Sequence, residues 1–391
     1  MVGIAVKRRV AVVTGANTGV GYAIVQRLVQ QSPFPLTVIL ACRNKNRAQE
    51  ALNSLEKYFA DLRKKQQHAE KPYHHPELKI ELVDVGSVTS VLAFNQRIKA
   101  QFPEVDYLFC NAGILPSAGI MWSRVLLDMF RAPMDLVIRS DVLVQPKQHL
   151  TEDGIGNVLA CNVFGHYLMG LEDQLNKTEE DPGRVIWTSS ITGERSCFRD
   201  DDWQGLEAEQ PYESSKWVAD LLSIRLNEIW AGADNINSGT SSSTESINNK
   251  DDSIASRRVT RSASKAALDT PNNGSRSKKN IISITTHPGV VASGIGGLAA
   301  WIVMLRIALH YVLRLCGEPN QNITAYHGAN SNVYSALKEP VEKIDYRSKY
   351  GSQIRPLGGE VLHVVKVAEY EDSQATLVVN EMEKLRLSFE K

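Results

Sequence analysis

Tyr212-Glu213-Ser214-Ser215-Lys216 is the run whose residue types and spacing point most directly to chemistry. Four residues apart on a helix, Tyr212 and Lys216 share one face. An ammonium beside a phenol favours the phenolate, so the pairing predicts a tyrosine pKa below its ordinary value of ~10. A phenol placed this way can protonate a developing alkoxide as a general acid. Ser189-Ser190 closes an apolar run and can offer a hydroxyl to the same carbonyl oxygen. The tyrosine–lysine spacing alone is common by chance, and its weight comes from the elements around it.

A second group of residues has the chemistry of a nucleotide site. Thr14-Gly15-Ala16-Asn17-Thr18-Gly19-Val20-Gly21 joins a β-branched run to a helical stretch, residues 21–31. Glycines there let backbone approach a pyrophosphate, and the helix N-terminus favours its negative charge. Gly15, Asn17, Thr18, Gly19 and Gly21 are the candidate contacts. A site for NAD carries an acid after the second strand to take the ribose hydroxyls, but this chain has Cys42-Arg43-Asn44. With no carboxylate to repel a 2′-phosphate and the planar fork of Arg43 to pair with it, the cofactor expected is NADP(H). Asp84 after the third strand can accept from an adenine amino group, and Asn111-Ala112-Gly113 gives a small-residue turn past the cofactor.

These residues need a sheet to position them. Residues 10–14, 36–41, 78–83 and 105–110 read as apolar strands separated by helical stretches at 21–31 and 47–65, and 184–189 and 281–286 repeat the strand pattern. Strands alternating with helices imply βαβ units, a parallel sheet and a doubly wound α/β fold of Rossmann type, with ligands beyond the carboxyl ends of the strands. The chain of 391 residues reads as one such domain. Its 44 basic and 44 acidic residues argue against a chain that coats nucleic acid. Five cysteines without a CxxC pair argue against a disulfide framework or structural zinc, and no metal site is expected.

Three stretches depart from the strand–helix rhythm. Residues 231–280 hold eleven serines, seven asparagines and no aromatic, the composition of a disordered insertion within the domain. Residues 114–151 form an apolar and basic insert. Residues 298–316 are apolar apart from Arg306, His310, Arg314 and a few small residues, the three recurring every fourth position. On a helix they make one narrow polar stripe. A helix lying in a membrane interface would keep that stripe at the headgroups, with Trp301 and Tyr311 as anchors; a core or dimer-interface helix with a wet edge is the alternative.

Taken together, from Val10 to about Ser293, the order of motifs resembles the short-chain dehydrogenase/reductase family: glycine-rich turn, Asp84, Asn-Ala-Gly turn, Asn162, Ser190, Tyr212 with Lys216, then Pro288-Gly289. The resemblance implies that Ser190 polarises a substrate carbonyl and Tyr212 donates the proton. It implies that Lys216 holds the nicotinamide ribose and tunes Tyr212, that Asn162 supports Lys216 through a water relay, and that Pro288, Gly289, Val291 and Ser293 flank the carboxamide. Ser190 and Tyr212 lie farther apart than in most of the family, so residues 195–210 must bulge, and Ser293 stands where threonine is usual. The runs Asn162-Val163-Phe164-Gly165-His166-Tyr167, Ile186-Trp187-Thr188-Ser189-Ser190, Asp202-Trp203-Gln204 and Asp220-Leu221-Leu222 narrow the likeness. They resemble one branch, the 3-keto-steroid reductases of sterol synthesis, related to animal 17β-hydroxysteroid dehydrogenase type 7, with His287-Pro288-Gly289-Val290-Val291 nearer the fungal form. The implied activity is NADPH-dependent reduction of a 4-methyl-3-keto sterol to the 3β-alcohol. The implied setting is the cytosolic face of the endoplasmic reticulum membrane or a lipid droplet, with partners in a C-4 demethylation complex. Reduction of another lipid carbonyl, such as a 17-keto steroid or retinal, uses the same residues. A non-catalytic scaffold among sterol enzymes is the alternative of a different class, and its mark would be a broken triad.

Overall fold

The computed structural model describes residues 7–65, 74–131, 142–232, 279–292 and 300–389. Its eight-stranded sheet contains β1 (Arg9–Thr14), β2 (Leu36–Cys42), β3 (Glu77–Leu82), β4 (Tyr107–Cys110), β5 (Gly183–Thr188), β6 (Ile281–His287), β7 (Ser348–Ile354) and β8 (Glu360–Lys366). The order across the sheet is β8-β7-β6-β5-β4-β1-β2-β3. Every neighbouring pair is parallel except β7 with β8. This is the doubly wound order, in which the chain direction across the sheet reverses between β1 and β4 and opens a crevice at the carboxyl ends.

Period-two alternation puts apolar side chains on both faces. Val12, Ile39 and Leu108 enter one core, whereas Ala11, Val13, Val38 and Phe109 enter the other. The layers and additions contain α1 (Gly19–Gln31), α2 (Lys45–Lys65), α3 (Val88–Gln101), α4 (Trp122–Arg131), α5 (Pro211–Trp230), α6 (Ala300–Leu315), α7 (Asn330–Leu337) and α8 (Asp372–Ser388). Phe94 of α3, Leu221 of α5 and Val378 of α8 fill the first core. Ile24 of α1, Phe59 of α2 and Val333 of α7 fill the second.

The six expected strands are present, with ends shifted by at most two residues. The hairpin β7–β8 and helix α8 are additional. β7 carries a weakened apolar signal because Ser348 and Ser352 alternate with Tyr350 and Ile354 among its buried positions; the Ser352 hydroxyl is satisfied by donating to the Gly328 carbonyl at 2.7 Å. The hairpin is tied to the first helix. Arg27 of α1 is buried and grips Glu360 of β8 with both terminal nitrogens, at 2.6 and 2.8 Å. Burial opposes ionisation of Glu360, but His327 and Arg27 outweigh it and hold the carboxyl at about 2.

The serine- and asparagine-rich segment expected to be disordered falls largely on 233–278, outside the described residues. Its flanks meet: the Lys279 amide donates to the Trp230 carbonyl at 2.8 Å, and β6 begins two residues later. A segment that leaves and returns at one place adds little constraint to the body. Replacing 233–278 by a short Gly/Ser linker is therefore expected to leave turnover within about twofold and the melting temperature within a few degrees. Loss of soluble folded protein would show that these residues belong to the core.

The helix expected within 298–316 forms as α6, but His310 and Arg314 of its polar stripe turn toward the domain; the Arg306 side chain lies outside those described. His310 is fully buried, with Nδ1 at 2.7 Å from Gln321 Oε1, and Arg314 donates to the Arg355 carbonyl. The outward face is instead apolar: Met304 and Leu315 are each 67% exposed, beside Leu309, Tyr311 and Val312. Polar groups at this helix turn inward because Gln321 and the Arg355 carbonyl lie there to take them. The insert at 114–151 has a similar face on α4, with Trp122, Leu126, Leu127 and Phe130 exposed. Among the described residues no helix is long and apolar enough to cross a membrane.

Candidate active site

The carboxyl ends of β1, β4 and β5 carry the residues singled out in the sequence. Thr14, fully buried at the end of β1, holds two turns together. Its Oγ1 accepts the amides of Asn111 at 2.8 Å and Ala112 at 2.9 Å, and the Asn111 side chain donates to the Thr14 carbonyl at 3.0 Å. His166 Nε2 lies 2.9 Å from the same hydroxyl. Burial, reinforced by repulsion from Lys216, pushes His166 down to about 3, so the ring is neutral at physiological pH.

Gly15 and Gly19 have φ of +66° and +56°, left-handed conformations that favour glycine. A Cβ on Gly21 would lie 2.3 Å from the Gly15 carbonyl oxygen and 2.6 Å from Asn111 Nδ2. The loop thus packs directly on the first turn of α1. That turn has no acidic residue, and Thr18 leaves its amides uncapped by a side chain. Such amides suit an anion. Below the loop, the Cys42 sulfur takes hydrogen bonds from the Ala16 and Asn17 amides, and burial pushes its thiol up to about 11.

Arg43 and Asp84 converge at the ends of β2 and β3, 3.8 Å apart, with the Arg43 side chain 70% exposed. Asp84 is oriented by the Gly86 amide, which donates to Oδ1 at 3.0 Å. Residue 43 thus stands exposed at the carboxyl end of β2. Arg43→Asp is expected to raise the KM for NADPH by about tenfold or more and to shift preference toward NADH. Steady-state kinetics with both cofactors check this, and an unchanged ratio removes Arg43 from the site.

Of the two serines after β5, Ser189 is buried and donates to the Lys216 carbonyl at 3.2 Å, a structural bond. Ser190 is the one that meets Tyr212, hydroxyl to phenol, and its Oγ is also 2.9 Å from Thr192 Oγ1. Lys216, one turn along α5, is buried; its Nζ lies 5.4 Å from the Tyr212 ring centre and donates to the Thr188 carbonyl at 2.8 Å. The longer spacing between Ser190 and Tyr212 is taken up by an ordered loop with two 3₁₀ turns, Arg195–Cys197 and Asp200–Asp202. Buried Phe198 anchors it to the core.

The expected lowering of the tyrosine pKa is not found. Enclosure by the protein, with the charge of Glu213 next, raises the Tyr212 phenol above its ordinary value despite the hydrogen bond from Ser190. Burial also lowers Lys216, to about 8, with Asp220 opposing and Lys349 reinforcing that fall. Desolvation outweighs the pairing because Lys216 is buried and Tyr212 half-buried against it.

Asn162 lies in a π-helical turn, Ala160–Phe164, a distortion frequent at functional sites. Its Oδ1 accepts the Ile114 amide at 2.7 Å, while Nδ2 donates to the Ile114 carbonyl and to Ser215 Oγ. It thus stitches the Asn-Ala-Gly turn to α5. A Cβ on Gly113 would lie 2.8 Å from Asn162 Oδ1. Pro288, Gly289 and Val291 follow β6 on the same side of the sheet. Gly289 has φ of +63°, and the Asn322 amide donates to the Pro288 carbonyl at 2.7 Å. Ser293 lies outside the described residues.

One residue escaped the sequence reading. Buried Gln145 accepts the Tyr212 amide at 2.9 Å and donates to Glu213 Oε2 at 2.8 Å, capping the catalytic helix from the insert. An acid in a first helical turn is a visible cue, but nothing in the sequence links Gln145 to a helix 67 residues away.

A doubly wound sheet, a glycine cradle on the first helix and a serine–tyrosine–lysine group at the strand ends define a nucleotide-dependent oxidoreductase of one architecture. The family model for the short chain dehydrogenases matches residues 9–231. The chain belongs to that family. It is 32% identical over 231 residues to the human 3-keto-steroid reductase/17-beta-hydroxysteroid dehydrogenase 7, which covers 56% of this chain and 61% of that protein. The rat protein of the same name is 27% identical over 94% of this chain and 92% of its own length. The 3-keto-steroid reductase of Schizosaccharomyces pombe is 29% identical over 55% of this chain and 62% of its own. The chain thus spans under two thirds of the human and fission-yeast relatives in these matches, and nearly all of the rat one.

Proposed function

We propose that this protein is an NADPH-dependent reductase of a 3-keto sterol, reducing the C3 ketone of a 4-methyl intermediate to the 3β-alcohol. The observation that carries the reading is the meeting of Ser190, Tyr212 and Lys216 at the strand ends in a chain whose relatives are named for this reaction. The first turn of α1 and its glycine loop would hold the pyrophosphate, Arg43 the 2′-phosphate, and Lys216 the nicotinamide ribose. Bound NADPH supplies the hydride. This chain's residues supply orientation and charge. The Ser190 hydroxyl donates to the carbonyl oxygen, and Tyr212 transfers its proton to that oxygen as negative charge develops. Lys216 in its ammonium form stabilises the phenolate left behind, and Asn162 and Gln145 fix the helix that carries both.

A sterol ketone is almost wholly apolar and resides in membrane. The outward apolar faces of α4 and α6 support contact with a bilayer surface, and a location at the endoplasmic reticulum or a lipid droplet beside other C-4 demethylation enzymes follows from the reading. The test is NADPH oxidation by the full-length protein with a 4-methyl-3-keto sterol, a 17-keto steroid and retinal. The sterol is expected to give a kcat/KM at least about tenfold above the others, a margin of roughly 1.4 kcal/mol in fit to the apolar walls. A preference for retinal or the 17-ketone would overturn the assignment while leaving the catalytic group intact.

A further inference from the structure

Behind the catalytic group lies a buried ion pair that the reaction as described does not use. Asp220 is fully buried one turn beyond Lys216 on α5. Lys349, reaching across from β7, closes to 2.5 Å on Asp220 Oδ2, with its side chain only 12% exposed. The same ammonium donates to the Ser190 carbonyl at 2.8 Å. Ser189, the neighbour of Ser190, also lies close enough to favour the Asp220 carboxylate. One carboxylate and one ammonium therefore touch both segments that carry the catalytic hydroxyl and amine. Lys349 lies well outside residues 9–231, on the polar strand that the sequence hid.

We infer that Asp220 and Lys349 are positioning residues for catalysis: Lys349 fixes the backbone of Ser190, and the pair sets the pH range over which Lys216 carries its charge. This rests on the proposed roles of Ser190 and Lys216. A buried ion pair is a poor way to gain stability, because desolvation offsets much of the attraction. Its placement makes sense for control of a neighbouring charge. Among the described residues, the titratable and charged groups facing Lys216 are Tyr212 and Asp220 on α5, Lys349 on β7, and His166 from the helical turn Gly165–Leu168. His166 is neutral and Tyr212 protonated, so at neutral pH the field at Lys216 comes from the pair. Asp220 favours its ammonium and Lys349 opposes it.

The two members must then act in opposite directions. The pH profile of kcat for NADPH-dependent reduction is expected to fall on an alkaline limb near the Lys216 value of about 8. Asp220→Asn should move that limb down by about one pH unit, and Lys349→Met should move it up by about as much. Lys349→Met should also lower kcat with the KM for NADPH unchanged, and Lys349→Arg should restore both. A 13C-ε-lysine titration followed by NMR, with Lys216→Met for assignment, reads the Lys216 pKa in the free protein without any turnover. It decides the matter even if no sterol is reduced, and it needs only one of the two variants to fold. An unmoved limb and titration in either variant that folds, with only melting temperature reduced, would overturn the inference while the function stands.

Discussion

Tyr212→Phe is expected to cut the reduction rate by about 10²- to 10⁴-fold, the span ordinarily contributed by a positioned general acid. The substitution removes one oxygen and keeps the ring that packs 5.4 Å from Lys216 Nζ, so fold and cofactor site should persist. The Ser190 hydroxyl remains to polarise the carbonyl but is too weak an acid to replace the phenol. The phenol is the group that the enclosing protein keeps protonated. Fluorescence titration with NADPH should give a dissociation constant within about twofold of wild type, placing the loss in the chemical step. Turnover within tenfold of wild type would mean that another group delivers the proton.

The second large effect is expected at Gly21, through the backbone. An alanine methyl there would lie 2.3 Å from the Gly15 carbonyl oxygen, closer than any van der Waals contact permits. Neither partner is a flexible side-chain tip: one is the loop backbone and the other is Asn111, which is bonded to Thr14. The loop must therefore lift from α1, at a cost of about 1–3 kcal/mol. If that cost falls on the pyrophosphate cradle, NADPH affinity drops roughly 5- to 150-fold. Calorimetric titration of Gly21→Ala, alongside its melting temperature, separates lost binding from lost folding. Unchanged affinity would show that the loop is not the cradle.

The candidate site was legible where residue types recur at local spacing. The glycine loop, the Tyr212–Lys216 pair and the six apolar strands follow from patterns of a few residues, and each stands where it was expected. What stayed hidden depends on partners distant in the chain. Half of the inward positions of β7 are hydrogen-bonded serines, which blur its hydrophobic period, and Gln145 caps a helix it could not be matched to in advance. The α6 stripe shows the limit most clearly. Spacing correctly put His310 and Arg314 on one face, but the direction of that face depended on Gln321 and the Arg355 carbonyl. The tyrosine pKa was misread for a similar reason, since a pairwise charge argument leaves out the enclosure that a fold imposes.

The grip of Arg27 on Glu360 also has a consequence for synthesis. A ribosome makes α1 early, but the carboxylate that neutralises its buried guanidinium is encoded 333 residues later. Until β8 has left the exit tunnel, the first helix cannot seat that charge beneath Tyr326 and Asn330. The nascent amino-terminal half, however complete its own strands, must wait with an unpaired cation and open apolar surface. Contacts of such long range fold slowly and expose intermediates to aggregation. Production of this protein should accordingly depend on chaperone supply more than its equilibrium stability suggests.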